Sequence, residues 1–148
     1  MKLCVYVWRL LKENIIRILG TAMGKIPLGF QHHMVVRQEH LNQYGNLFGG
    51  RVLSVIDELA FVACARTYPK NNFVTRVVED AAFISPAVLG DLLEFNFGIE
   101  KVGRTSVRVR AEMIIYNGKT GKASKSFDGC VVMVCVDSEG KATTVPSN

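Results

Sequence analysis

The residues with the clearest chemical potential lie between Asn42 and Asp57. The stretch from Asn42 to Gly50 leads directly into a segment with helical periodicity. Paired glycines at a helix start let a ligand approach the backbone closely, and the unpaired N–H groups and positive dipole end of the helix face that ligand. Gly49 and Gly50 could therefore stabilise a carbonyl oxygen that gains negative charge. The alternative is that the two glycines only form a tight turn, with Asn46 near the helix cap.

Asp57 is the second candidate, because it lies in a helical segment whose other residues are nearly all apolar. A buried carboxylate is costly unless it is paired or hydrogen-bonded, so its position needs a reason. Asp57 is a candidate general base or carboxylate nucleophile. The alternative is a structural role, in which it bonds a backbone amide or an arginine. The neighbouring Glu58 points about 100° away around the helix and is predicted to face solvent or an ion-pair partner.

The distance between these candidates predicts a shared site. Gly50 and Asp57 are seven residues apart, which is about 10 Å along a helix. One substrate carbonyl cannot easily touch both the helix start and Asp57 of the same helix. If both act on one substrate, they come from different subunits of an obligate dimer.

One helix and about five strands are predicted to position these residues. The ranges are a strand over His33–Arg37, a loop over Glu39–Asn46, a helix from Gly50 to about Arg66, and strands over Phe73–Phe83, Leu93–Ile99, Val107–Met113 and Cys130–Val136. Period-two alternation is typical of antiparallel strands with one buried face, and the helix is apolar nearly all round, which predicts burial on most sides. An α+β fold follows, with the long sheet curled around one central helix and an apolar edge that favours dimerisation through the sheet.

Composition and charge exclude several classes. The chain has 148 residues, 49% hydrophobic and 21% charged, with a net charge of +5, which excludes a disordered protein. The basic residues are dispersed and form no stripe with interleaved aromatics, so we expect no nucleic-acid partner. Cys4, Cys64, Cys130 and Cys135 lack the spacing of a zinc site or a disulfide scaffold. We expect buried free thiols, no metal, and a cytoplasmic location.

The N-terminal segment, residues 1–30, is treated as an amphipathic extension of a domain spanning 31–148. Arg9, Lys12, Glu13 and Arg17 interrupt its apolar residues, so it does not fit a membrane span or a signal peptide. Three interpretations stay open: a helix packing on the domain or a partner, an interfacial membrane anchor, or an over-extended translation start.

Five motifs in order carry a family resemblance. They are N-x-x-G-N-x-F-G-G at 42–50 followed by Asp57; Phe73-Val74-Thr75; Phe83-Ile84-Ser85-Pro86 with Gly90-Asp91; Val102-Gly103-Arg104-Thr105-Ser106; and Val136 to Lys141 running on to Val145-Pro146. The set resembles the acyl-CoA hydrolase branch of the hotdog-fold proteins, namely the YciA-like bacterial enzymes and related cytosolic acyl-CoA thioesterases. Phe48 stands where other hotdog thioesterases carry histidine, which points away from that other branch.

The resemblance implies hydrolysis of a fatty or short-chain acyl-CoA to free acid and CoA, with no cofactor beyond the CoA of the substrate. It implies that Asp57 is the catalytic carboxylate, that Asn42 or Asn46 of the other subunit helps to place the thioester and water, and that Thr75 lies near the site. The turn Gly103-Arg104-Thr105-Ser106 resembles the family's contact with CoA phosphates, and an arginine beside turn amides suits phosphate. The expected assembly is a homodimer or a trimer of dimers.

Two other functions are compatible with a hotdog fold. A dehydratase or hydratase would need a histidine in the helix region, whereas His32, His33 and His40 all precede the motif. A non-catalytic acyl-CoA or lipid-binding module would use Asp57 only structurally. The second is the alternative that an assay must exclude.

Overall fold

The structure is a computed structural model that describes residues 29–146. Its elements are β1 (Phe30–Val35), a short 3-10 helix (Gln38–His40), α1 (Gly49–Thr67), β2 (Asn72–Phe83), β3 (Leu92–Val102), β4 (Ser106–Tyr116) and β5 (Ala123–Val136). The expected extension over residues 1–30 lies outside the described residues, apart from Gly29 and Phe30. Within residues 29–146, no helix combines the length and apolarity that crossing a membrane requires.

The five strands form one antiparallel sheet in the order β1-β3-β4-β5-β2, and α1 contacts β2, β3, β4 and β5. Alternate residues of the central strands face the helix, as in β4, where Val107, Val109, Ala111 and Met113 are buried. The core therefore lies between one face of the sheet and one face of α1. This confirms the predicted α+β hotdog architecture.

The helix contributes a regular apolar face. Its buried residues are Val52, Val55, Ile56, Leu59, Ala60, Ala63 and Cys64, which follow the three- and four-residue spacing of one helix face. The prediction that the helix is buried on most sides was wrong for the single chain. Asp57 and Glu58 are both exposed, and Phe61 keeps 47% of its surface accessible, because the sheet covers only one side of α1.

The edge strand β2 pairs only with β5 within the described chain. It carries exposed apolar side chains along its length, including Val74, Val77, Val78 and Phe83. Unpaired strand edges with apolar side chains favour pairing with another chain. The apolar edge that the sequence indicated is therefore present, and it is β2.

Element ends differ from the predictions by a few residues, with β5 the largest case. It begins at Ala123, seven residues before the predicted start at Cys130. The added residues include Lys125, Ser126 and Asp128, which are polar and conceal the strand pattern. They pair with the end of β4 and with Phe83 and Ala82 of β2, so tertiary pairing overrides their weak local signal.

Candidate active site

The structure brings Asp57 and Thr75 together. Asp57 lies midway along α1 and Thr75 lies near the start of β2, and Thr75 Oγ1 donates a hydrogen bond to Asp57 Oδ1. The same hydroxyl lies 3.3 Å from Met133 Sδ, but it has a single hydrogen, and a carboxylate is a much stronger acceptor than a thioether. One oxygen of Asp57 is thereby held in place. The other oxygen remains available for a substrate or a water molecule.

A bulge in β2 follows Thr75 directly. The pairing of β2 with β5 shifts between Thr75 and Val77, so that Arg76 has no partner residue. A bulge bends its strand and redirects the neighbouring side chains, and bulges are frequent beside active sites. β2 therefore bends at the residue that holds the carboxylate.

The turn between β3 and β4 lies at the same end of the sheet. Thr75 pairs with Met133, Met133 with Val107, and Val107 with Val102, the residue just before the turn. Three strand spacings separate Thr75 from Val102, which is about 14 Å. The turn is thus near the Asp57–Thr75 pair without touching it.

Backbone contacts hold this turn in shape. Gly103 N donates to Ser106 O at 2.7 Å, Cys135 N donates to Thr105 O at 2.9 Å, and Val145 N donates to Arg104 O at 2.8 Å. The Arg104 side chain is exposed. A fixed backbone with an exposed guanidinium group suits an anionic ligand.

The loop that carries Asn42 and Asn46 is closed by its own hydrogen bonds. Asn42 Oδ1 accepts from Tyr44 N at 2.9 Å and from Asn46 N at 3.1 Å, and Asn42 N donates to Asn46 O at 2.8 Å. The carbonyl of the Asn42 side chain is therefore used to shape the loop. Only its NH₂ group remains to donate to a substrate.

A second segment supports this loop. Leu47 N donates to Ala87 O at 2.8 Å, and Asn46 forms a β-bridge with Val88. Val88 N in turn donates to Asp91 Oδ2 at 2.9 Å, and Asp91 is only 4% exposed. Asp91 entered the sequence argument only as part of a motif. Its role in holding this segment was missed, and the adjacent Gly90, with φ of +86°, was the available signal of a tight turn.

The two glycines begin α1, as their sequence position predicted. As its first residues, Gly49 and Gly50 have no carbonyl within the helix to which their N–H groups can donate. A Cβ on Gly50 would lie 2.6 Å from Phe48 Cε1, and one on Gly49 would lie 3.4 Å from the Phe83 ring. Gly50 is therefore too tight for a Cβ while the Phe48 ring stays where it is, whereas a Cβ on Gly49 would only touch the Phe83 ring.

An open pocket of about 320 Å³ lies beside Gly49. Its lining consists of Leu47, Gly49, Val52, Phe83, Ile84, Ser85, Pro86, Ala87, Met113 and Ser126. The two hydroxyl groups are already used, since Ser85 Oγ donates to Lys125 O and Ser126 Oγ donates to Ser85 O. The pocket therefore offers mainly apolar surface to a ligand.

Within one chain, the helix start and the carboxylate lie at opposite ends of β2. Gly49 is next to Phe83 at the end of β2, whereas Asp57 contacts Thr75 near its start. Because of the bulges in β2, the eight residues from Thr75 to Phe83 pair with only six residues of β5, from Met133 to Phe127, which is about 20 Å. Asp57 and the two glycines are therefore well separated in a single chain.

Other nucleophiles and ligands find little support in the described chain. Burial raises the pKa of the Cys64 thiol to about 12, and burial also raises the pKa of Cys130 and Cys135, so the reactive thiolate form is disfavoured. The three are free and buried, as predicted; Cys4 lies outside the described residues. Among residues 29–146, no cluster of His, Cys, Asp and Glu could hold a metal ion.

The histidines lie away from the Asp57–Thr75 pair. His32 and His33 are exposed on β1, where His33 Nε2 lies 3.4 Å from Glu94. His40 Nδ1 accepts from Arg37 N at 3.1 Å. All three are surface or loop residues, as predicted.

Comparisons with known proteins place the chain among thioesterases. A model of the thioesterase superfamily matches residues 44–122, more than half of the chain. An uncharacterised acyl-CoA thioester hydrolase of Bacillus subtilis, YkhA, is 29% identical over 105 residues, which are 71% of this chain and 60% of that relative. The chain thus spans less than two thirds of the length of this relative.

Solved structures share the fold. A hexameric acyl-CoA thioesterase in its apo form aligns with a TM-score of 0.74 and 31% identity, over 80% of this chain and 75% of that one. A hexameric broad-specificity acyl-coenzyme A thioesterase aligns with a TM-score of 0.71 and 26% identity, over 84% of this chain and 86% of that one.

Proposed function

The chain belongs to the thioesterase superfamily, and we propose that it hydrolyses acyl-CoA thioesters to a free carboxylic acid and CoA. The observation that carries the proposal is the hydrogen bond from Thr75 Oγ1 to Asp57 Oδ1. It orients a carboxylate on a helix whose opposite face forms the core. The similarity to two acyl-CoA thioesterase structures supports the same substrate class.

Asp57 acts as a general base or as a nucleophile. As a base, it takes a proton from water while the oxygen attacks the thioester carbon, and the C–S bond then breaks and the thiolate of CoA receives that proton. As a nucleophile, its free oxygen attacks the same carbon and expels the thiolate, and water then hydrolyses the resulting anhydride. Either step requires one carboxylate oxygen in a constant position, which is the contribution of Thr75.

The active form is a dimer, and three such dimers can assemble into a hexamer. Antiparallel pairing of two β2 edges across a two-fold axis puts the Thr75 half of one strand against the Phe83 half of its partner. The Gly49 and Gly50 N–H groups of one subunit then lie near Asp57 of the other. There they stabilise the oxyanion of the tetrahedral intermediate. The exposed apolar side chains of β2 and Phe61 of α1 supply a surface for this contact.

The remaining site residues follow from this arrangement. Asn42 and Asn46 lie in the loop just before the glycines, so in a dimer they belong to the same half-site as the oxyanion hole. Arg104 binds CoA phosphates, and the turn of Gly103, Thr105 and Ser106 holds it in place for that contact. No cofactor takes part apart from the CoA of the substrate. The buried free thiols are consistent with a cytoplasmic location.

The test is thiol release from acyl-CoA by the wild type, Asp57→Asn and Glu58→Gln. Glu58 is a matched control, because it is the adjacent exposed carboxylate on α1. We expect Asp57→Asn to reduce kcat by about three powers of ten, roughly 4 kcal/mol in the barrier, and Glu58→Gln to stay within about twofold of the wild type. Calorimetric binding of CoA should be similar for all three.

Two results would contradict the proposal. Substantial hydrolysis by Asp57→Asn would remove Asp57 from the chemical step. Tight acyl-CoA binding without hydrolysis by the wild type would favour the non-catalytic binding module instead.

A further inference from the structure

The pocket beside Gly49 has an open and a closed end. Phe83 and Ile84 are 54% and 56% exposed and form its mouth, whereas Val52, Ala87 and Met113 are at most 2% exposed and form its floor. Gly49 lies at the mouth, in contact range of the Phe83 ring. An acyl group whose carbonyl is held by the start of α1 therefore points its chain into this pocket.

Met113 is the largest of the buried side chains on the pocket floor. It lies in the middle of the sheet, where it pairs with Phe95 on one side and Phe127 on the other. Both rings are essentially inaccessible, at 1% and 0% exposure. Methionine is flexible, but a side chain between two closely packed rings has little room to move, since interiors are packed at crystal-like density.

The volume of the pocket limits the length of the acyl chain that it can hold. A water-sized atom takes about 30 Å³ in the liquid, so a pocket of about 320 Å³ holds roughly ten non-hydrogen atoms. The carbonyl group takes two of these positions. The space that remains fits a short or medium acyl chain.

We propose that Met113 is the chain-length determinant of this protein and limits its preferred substrates to acyl groups of about eight carbons or fewer. This inference rests on the proposed thioesterase function. A longer chain must either displace Met113 or leave its end in solvent. The second option forgoes the burial of each methylene that stays in solvent.

The test measures kcat/KM for butyryl-, octanoyl-, dodecanoyl- and palmitoyl-CoA. The variants are Met113→Ala, which deepens the pocket, and Val109→Ala, which removes buried volume from the same strand outside the pocket lining. For the wild type and Val109→Ala, we expect the ratio of kcat/KM for octanoyl-CoA to kcat/KM for palmitoyl-CoA to be at least ten. Met113→Ala should lower that ratio about tenfold. The ratio does not depend on how much of each variant is folded, so destabilisation cannot imitate the effect.

Each outcome has a separate meaning. If the wild type hydrolyses palmitoyl-CoA as well as octanoyl-CoA, or if Met113→Ala keeps the ratio of Val109→Ala, the role of Met113 is wrong while the thioesterase function stands. If the wild type hydrolyses none of the four substrates, the proposed function fails and this inference fails with it.

Discussion

Replacing Thr75 with valine tests the central pair most directly. Valine has nearly the shape of threonine and suits a strand, so the change removes the hydroxyl that donates to Asp57 Oδ1 and little else. Hydrogen bonds to charged groups contribute about 1.5–3 kcal/mol. Both residues are exposed in the single chain, which favours the lower half of that range.

We therefore expect kcat to fall about 10- to 30-fold, or about 1.4–2 kcal/mol in the barrier. KM should change little, because Thr75 acts through Asp57 and does not itself hold the substrate. Thr75→Ser keeps a hydroxyl and should recover most of the activity. The thermal midpoint of Thr75→Val should stay close to that of the wild type, which separates an effect on catalysis from one on folding.

A double-mutant cycle decides whether Thr75 works through Asp57. In the Asp57→Asn background, the carboxylate that Thr75 positions is absent, so adding Thr75→Val should cost almost nothing further. The coupling energy should then equal nearly the whole effect of the single Thr75 change. Additive effects of the two substitutions would refute the reasoning, because they would mean that Thr75 contributes independently of Asp57.

Four further predictions concern residues outside this pair. Asp91→Ala should lower the free energy of unfolding in urea by about 1–3 kcal/mol, since it removes the buried carboxylate that accepts hydrogen bonds from Val88 N and Asn117 Nδ2. Burial raises the pKa of Tyr116 from 10.0 to about 12, so the folded state favours the neutral phenol. Tyr116 therefore stabilises the fold fully below pH 10, and this contribution is lost as the pH rises towards 12. Alkaline difference spectra of the wild type against Tyr116→Phe check this. Arg104→Ala should raise KM about tenfold for acyl-CoA, equal to about 1.4 kcal/mol, and leave acyl-pantetheine, which lacks the nucleotide, unaffected. Val78→Lys places a charge on the β2 edge. We expect this variant to be monomeric in analytical ultracentrifugation and inactive in the thiol-release assay. An active monomer would contradict the shared site.

The helix start is the part of the site that local sequence specified best. Gly49 and Gly50 precede a run of apolar residues at helical spacing, and α1 begins at Gly49. Helix initiation depends on residues close in the chain, so local pattern is sufficient. The same holds for β3 from Leu93 to Phe97 and for β4 from Val107 to Ala111, where buried residues alternate with partly buried ones.

The exposure of Asp57 could not be predicted from the local sequence. The apolar composition of α1 indicated a buried carboxylate, yet Asp57 is exposed in the single chain. Periodicity reports which residues share a face of a helix. It does not report whether this chain or another one covers that face.

The sequence by itself determined the fold class, the family resemblance and the candidate residues, because these depend on periodicity and on short ordered motifs. Only the tertiary structure decided which candidates meet. Asp57 and Thr75 are eighteen residues apart in the chain but share a hydrogen bond, whereas Asp57 and Gly49, on one helix, lie towards opposite ends of β2. The reason is physical: contacts between elements depend on strand register, on the bulge after Thr75 and on how α1 crosses the sheet, and none of these is a property of any short stretch of sequence.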